Sequence, residues 1–148
     1  MNSAPTSERS DIMIPVLFIN CLREQFVDWI IGGLKLYETR TRNTLKKLLE
    51  SYLGERILIA ETGRGDPLVR CSAVIDEVIA VYDQATWEDY LGQTWIPVDS
   101  KYDWKPTTKV KYLYHLTDVH KLARPFRLPK SCRRHGRVWA EYEWGCAL

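Results

Sequence analysis

Four charged side chains crowd into the eleven residues GGLKLYETRTR (32–42): Lys35, Glu38, Arg40 and Arg42. Side chains alternate along an extended strand, so Glu38 and Arg40 share one face while Tyr37 and Thr39 share the other. Lys35 precedes that strand at its junction with a helix, where alternation does not bind it. A lysine set among apolar helix and strand residues has its charged form disfavoured. It can then act as a base, or stay charged and stabilise an oxyanion. A carboxylate fixed by a neighbouring guanidinium can take a proton from water. The plain alternative is a solvated lysine beside an exposed ion pair worth under about 1 kcal/mol.

Other residues could serve the same chemistry. Asp76 and Glu77 interrupt the apolar run PLVRCSAVIDEVIAVY (67–82). That run is too long to stay flat as one strand, so a bulge is expected at the two acids. Asn20 is placed to cap a helix, and a cap beside a cleft can also touch a ligand. The six Trp and eight Tyr exceed what a small core needs and favour a pocket for something flat. Tyr37, Tyr114 and Trp139 are the candidates to stack on a base, and each can equally be core. PKSCRRHGR (129–137) is the one basic cluster, either a solvated loop or a phosphate-contact patch. The RGD at 64–66 reads as a turn.

The elements that position these residues follow from periodicity. MIPVLFIN (13–20) reads as a strand, with Pro15 placing its beginning at a sheet edge. Leu22, Phe26, Trp29 and Ile30 form one helical stripe, with Asn20 as its cap and Gly32-Gly33 as its end. KLYETR is the second strand. A second helix follows from about Asn43 to Leu53, with Leu45, Leu48, Leu49, Tyr52 and Leu53 on its apolar face. RILIAET (56–62) and the long run at 67–82 are strands. Thr86-x-x-Asp89 is expected to cap a short helix carrying Trp87. After an irregular stretch at 92–109, VKYLYHLTDV (110–119) and RVWAEYE (137–143) complete the strands.

Bulk properties narrow the class. At 148 residues the chain is one domain, expected over 12–148 after a disordered lead-in at 1–11. A net charge of +2 argues against a long nucleic-acid footprint without excluding a short one. The cysteines at 21, 71, 132 and 146 form no C-x-x-C pair and have no histidine at ligand spacing, so no metal site and free thiols are expected. IMIPVLFI is too short to span a membrane and lacks a basic flank, which predicts a soluble, cytoplasmic protein.

In this order of elements, Gly33, Lys35, Glu38 and Arg40 match the G-x-K-x-x-E-x-R hallmark of the ASCH domain, a family of the PUA-like superfamily. GERILIAET (54–62) resembles that family's next strand and HGRVWAEYE (135–143) its closing strand, so the resemblance covers roughly residues 13–143. It implies an α+β fold: a small mixed β-barrel with two to three helices over one mouth and the motif residues in a cleft beside it. Family members are associated with RNA binding, and some small ones resemble amidohydrolases that remove acyl groups from N4 of cytidine. No cofactor is implied.

Two departures stand out. Asn20-Cys21 replaces a frequent Lys-Pro pair, and Glu38 stands where the amidohydrolases resemble the motif with a hydroxyl nucleophile. Thr39 is adjacent but faces the other way. The resemblance therefore implies a water nucleophile, with Glu38 as general base, Lys35 stabilising the oxyanion, and Glu77 as the second carboxylate of the catalytic set. Asn20, Tyr37, Arg40, Asp76 and Trp139 would contact the substrate. The expected partner is a small nucleoside; a non-catalytic module for RNA or a modified base is the alternative.

Overall fold

The computed structural model describes residues 13–143, and the lead-in expected at 1–11 lies outside them. The order is β1 (Met13–Asn20), α1 (Phe26–Ile31), β2 (Tyr37–Arg40), α2 (Lys46–Tyr52), β3 (Arg56–Thr62) and β4 (Leu68–Val81). Then come α3 (Gln84–Asp89), α4 (Leu91–Thr94), β5 (Lys111–Arg127), β6 (Arg133–His135) and β7 (Trp139–Glu143). The strands form one seven-stranded sheet in the order β2-β5-β4-β3-β1-β7-β6. β1 and β3 run parallel, and the other pairs are antiparallel.

The parallel pair explains why β1 and β3 read as unbroken apolar runs. Parallel strands bury both faces. Leu17, Ile19, Ile57 and Ile59 face the larger core, under α1 and α2, while Val16, Phe18, Leu58 and Ala60 face a second cluster on the opposite side. β1 is therefore an interior strand. Only Met13–Pro15 lack β3 as a partner, which is how Pro15 is accommodated.

The expected closed barrel is corrected to an open sheet, with β2 and β6 as its edges and four short helices among the described residues. Closure fails at the backbone level because β2 and β6 do not pair. The sheet is nevertheless irregular. β4 and β5 slip register between Val69 and Cys71, Ser72 and Val74, and Ile75 and Glu77. Each bulge adds twist. The last of the three is the one expected at Asp76-Glu77.

Local departures have identifiable causes. α1 starts at Phe26 with Gln25 at its N-cap, so Leu22 lies outside the helix and is exposed. Phe26, Val27 and Ile30 are buried and Trp29 is half-buried, which keeps the rest of the stripe. Asn20 does not cap this helix; its Oδ1 accepts from the Leu22 amide at 2.9 Å. The helix ends at Gly32 in a helical conformation, and Gly33 takes the left-handed one at φ 78°. α2 is shorter than expected, and Leu53 beyond it is exposed. α3 is capped one turn earlier than Thr86-x-x-Asp89 suggested: Asp83 accepts from the Thr86 amide at 2.8 Å. β5 continues to Arg127, and the basic cluster contains the short strand β6. No helix among the described residues is long and apolar enough to cross a membrane.

Candidate active site

A cavity of about 230 Å³ opens between the edge strand β2, the C-terminal end of β1 and the segment 95–104. Glu38, Thr39 and Arg40 come from β2, Ile19 and Asn20 from β1, and Phe26 from α1. Ile96, Lys101 and Tyr102 come from the covering segment, and Lys111 from the start of β5. Glu38 and Arg40 meet as the alternation of β2 requires, but Thr39, expected to face the other way, also lines the cavity, which opens at this edge strand.

Glu38 is the focus of the charges. Its Oε2 lies 2.7 Å from Arg40 Nη2, and its Oε1 lies 3.9 Å from Lys35 Nζ. Its side chain is 8% exposed and that of Arg40 is 22% exposed, so water screens this pair only partly. Lys35 is buried completely and does not line the cavity; it stands behind Glu38 and Phe26. Its Nζ donates to the Thr94 carbonyl at 2.7 Å and sits 4.9 Å from the centre of the Phe26 ring. Burial pushes the Lys35 ammonium down to about 8, with Glu38 opposing that shift and Arg40 adding to it. The helix-to-strand junction brings this about: the amides of Leu34 and Lys35 both donate to Trp29 O, which turns the chain back under α1.

Sequence reasoning missed the covering segment and the second lysine. Asp103 organises the segment: it accepts from Trp87 Nε1 at 2.7 Å and from the amides of Asp99 and Trp104 at 2.8 Å. Trp87 is fully buried, so the indole anchors an otherwise irregular stretch. Tyr102 lays its ring edge-on to Phe26 at 5.2 Å and offers its carbonyl to Lys111 Nζ. Lys111 is buried, and burial lowers its ammonium's ordinary value. A signal was present. By alternation Lys111 shares a strand face with Leu113, which is wholly buried.

The other expected site residues lie elsewhere. Asp76 and Glu77 are exposed and do not line the cavity, so the acid expected to enter from β4 does not. Ile75 enters the core, and the bulge after it leaves the two acids on the solvent side. There Asp76 Oδ1 lies 2.8 Å from His115 Nδ1, and Glu77 is paired across the ladder with His115. Tyr37 packs in the core against His115 and Tyr90, at 4.8 and 5.4 Å between ring centres. Trp139 stacks on His135 at 3.9 Å with the rings 13° apart, so that face is already covered. Tyr114 is fully buried and donates to Asn43 Oδ1 at 2.7 Å; burial pushes its phenol up to about 12. Lys35, Glu38, Arg40 and Asn20 are thus brought together, and Tyr37, Asp76, Glu77 and Trp139 are not. Among the described residues no three His, Cys, Asp or Glu side chains gather as a metal site.

No protein-family profile and no curated protein matches the sequence. Solved structures do. Crystal structures of ZmASCH from Zymomonas mobilis match at 23% identity and a TM-score of 0.61, covering 77% of this chain and 73% of that one. A tyrosine-to-phenylalanine mutant of the same protein gives 23% identity and 0.61, covering 77% and 75%. A serine-to-alanine mutant gives 22% and 0.60, covering 76% and 72%. At this level of identity the likeness speaks to the backbone, over about three quarters of the chain. The chain has the fold of ZmASCH.

Proposed function

We propose that the cleft holds a single cytosine-type base and that the chain hydrolyses the amide joining an acyl group to its N4. One observation carries this reading: the Glu38 carboxylate lies at the cavity wall, held by a guanidinium at 2.7 Å and backed by a fully buried lysine. The cavity supports a small ligand. At about 230 Å³ it falls below the roughly 300–1,000 Å³ of drug-sized ligand pockets.

In the reaction, water adds to the acyl carbon while Glu38 takes its proton. The carbonyl oxygen becomes an oxyanion, which Arg40 and Lys111, two of the three cations lining the cavity, stabilise. The C–N4 bond then breaks, and Glu38 returns the proton to the departing nitrogen. The products are a carboxylic acid and a cytosine with a free amine. Lys35 has no exposed surface with which to meet the oxyanion, so its role is to position Glu38. Incubation with N4-acetylcytidine, followed by ultraviolet absorbance, tests the reading directly. Cytidine accumulating in proportion to enzyme is the expected result.

A second reading is supported by the same contact. A carboxylate already engaged by arginine at 2.7 Å can also serve as a fixed hydrogen-bond acceptor, which suits a module that recognises a base without changing it. Steep salt dependence of short-RNA binding, with no turnover of N4-acetylcytidine, would favour that module.

A further inference from the structure

A second cavity, of about 320 Å³, adjoins the cleft and shares Asn20 and Arg40 with it. Two hairpin turns wall it, one at 63–67 between β3 and β4 and one at 136–137 between β6 and β7. Three guanidinium side chains line it, from Arg40, Arg134 and Arg137, and among the described residues no carboxylate does. Most other arginines near the sheet are already engaged. Arg70 is held by Asp28 and Glu61, Arg56 by Asp118, and Arg127 by the carbonyls of Arg64 and Asp66. Arg134 and Arg137 are exposed and pair with no carboxylate of the described residues; Arg134 rests 5.6 Å over the Phe18 ring. Arg40 Nε is buried and has no hydrogen-bond partner among the described residues.

The turn beside this pocket is built to a close tolerance. Gly63 has φ 110°, and a Cβ there would lie 3.0 Å from Leu22 Cβ and 3.2 Å from Asn20 Oδ1. A glycine is needed for the turn to pack onto Asn20, the wall shared with the cleft. Arg127 fixes the same turn by donating to the carbonyls of Arg64 and Asp66 at 3.1 and 2.6 Å.

Arg40 is already paired with Glu38, but Arg134 and Arg137 bring two guanidinium groups with no carboxylate partner among the described residues, which favours an anion, and their planar fork matches phosphate. Because the two cavities share a wall, one ligand can reach both. We infer that the arginine pocket takes the phosphate of a cytosine nucleotide whose base occupies the cleft. This rests on the base-binding reading above and specifies its ligand as a nucleotide.

Titration calorimetry with cytidine, cytidine 5′-monophosphate and a short cytosine-containing RNA tests it. The wild-type chain should bind the monophosphate about tenfold more tightly than cytidine, the scale of one charge-assisted contact. In the double variant Arg134→Gln, Arg137→Gln that ratio should fall to near one, with thermal melting confirming the fold. A further gain for the RNA assigns the phosphate to a nucleic-acid backbone, and no further gain assigns it to a free nucleotide; both support the pocket. Equal affinities in the wild type, or a ratio that persists in the double variant, overturns it. A phosphate titration followed by amide NMR separates the two readings. If inorganic phosphate shifts the Gly63, Gly65 and Gly136 amides while cytidine does not bind, the cleft reading fails and the anion pocket stands. If cytidine binds and N4-acetylcytidine is deacylated with no preference for phosphate, the pocket fails and the cleft reading stands.

Discussion

The guanidinium of Arg40 donates to the main-chain carbonyl of Phe18 at 2.9 Å, although β5, β4 and β3 lie between their strands in the sheet. The same Nη2 sits 2.7 Å from Glu38. A side chain thus supplies the edge contact that the backbone ladder does not make. It also fixes the one carboxylate that lines the cleft among the described residues.

Arg40→Ala should therefore destabilise the fold and the site together. It leaves Glu38, which is 6% exposed, with only the more distant Lys35. A loss of about 3 kcal/mol is expected, the scale for removing one partner of a largely buried pair. Arg40→Lys should recover only part of it, because an ammonium lacks the planar fork. Urea denaturation measures both. A change in the range of an exposed surface mutant would show that the Phe18 contact does not hold the edge.

Lys35 makes stability depend on pH with a definite sign. Burial pushes its ammonium down to about 8 in the fold, against the ordinary 10.5. Between those values the unfolded chain binds more protons, so stability from this group rises with pH across the window and is lost as pH falls towards 8. The full difference is on the order of 3 kcal/mol. The thiols of Cys21 and Cys71 act in the opposite direction, since burial raises them to about 11 and 12. The comparison is therefore with Lys35→Met. Wild type should gain stability relative to that variant from pH 8 to 10; parallel curves would mean that Lys35 is not buried as a titrating amine.

Much of this was legible in the sequence because it rests on short-range periodicity. β3 falls on RILIAET, the bulge falls at Asp76-Glu77, and Glu38 and Arg40 share a face. What was not legible depends on contacts between distant parts of the chain. Lys35 is held by the carbonyl of Thr94 and Arg40 by that of Phe18, and neither partner has a side-chain signal. Backbone carbonyls are present at every residue, so sequence does not mark which one will be met. Tyr37 and Trp139 read as candidates for stacking on a base, yet Tyr37 packs at a tilt against His115 and Trp139 stacks on His135, and the positions of both histidines depend on strand register.

Asp103 should prove to be the residue that keeps the cover over the cleft. It accepts hydrogen bonds from Trp87, Asp99 and Trp104, and the segment it ties down carries Ile96, Lys101 and Tyr102 into the cavity wall. Asp103→Ala should cost about 2–3 kcal/mol, since bonds to a charged acceptor are among the stronger ones. It should also increase amide exchange across 95–104. Unchanged exchange there would show that burial of Trp87 alone holds the segment.

The decisive prediction concerns Glu38 and the two buried lysines. Glu38→Gln keeps the size of the side chain but removes its ability to take a proton. With N4-acetylcytidine a loss of about 10²–10⁴-fold in kcat is expected. Lys111→Ala removes a cation that lines the cavity, and about 10²–10³-fold is the scale for one oxyanion contact. Lys35→Met acts through Glu38 only, so it should lower kcat by less than either. It should also abolish a decline in kcat/KM that the wild type shows above pH 8, as the Lys35 ammonium gives up its proton. That pH signature separates a positioning lysine from one that merely fills space. Thr39 also lines the cavity, and it is the adjacent hydroxyl. If Thr39→Val abolishes turnover while Glu38→Gln leaves it intact, the nucleophile is the threonine and the water mechanism is wrong.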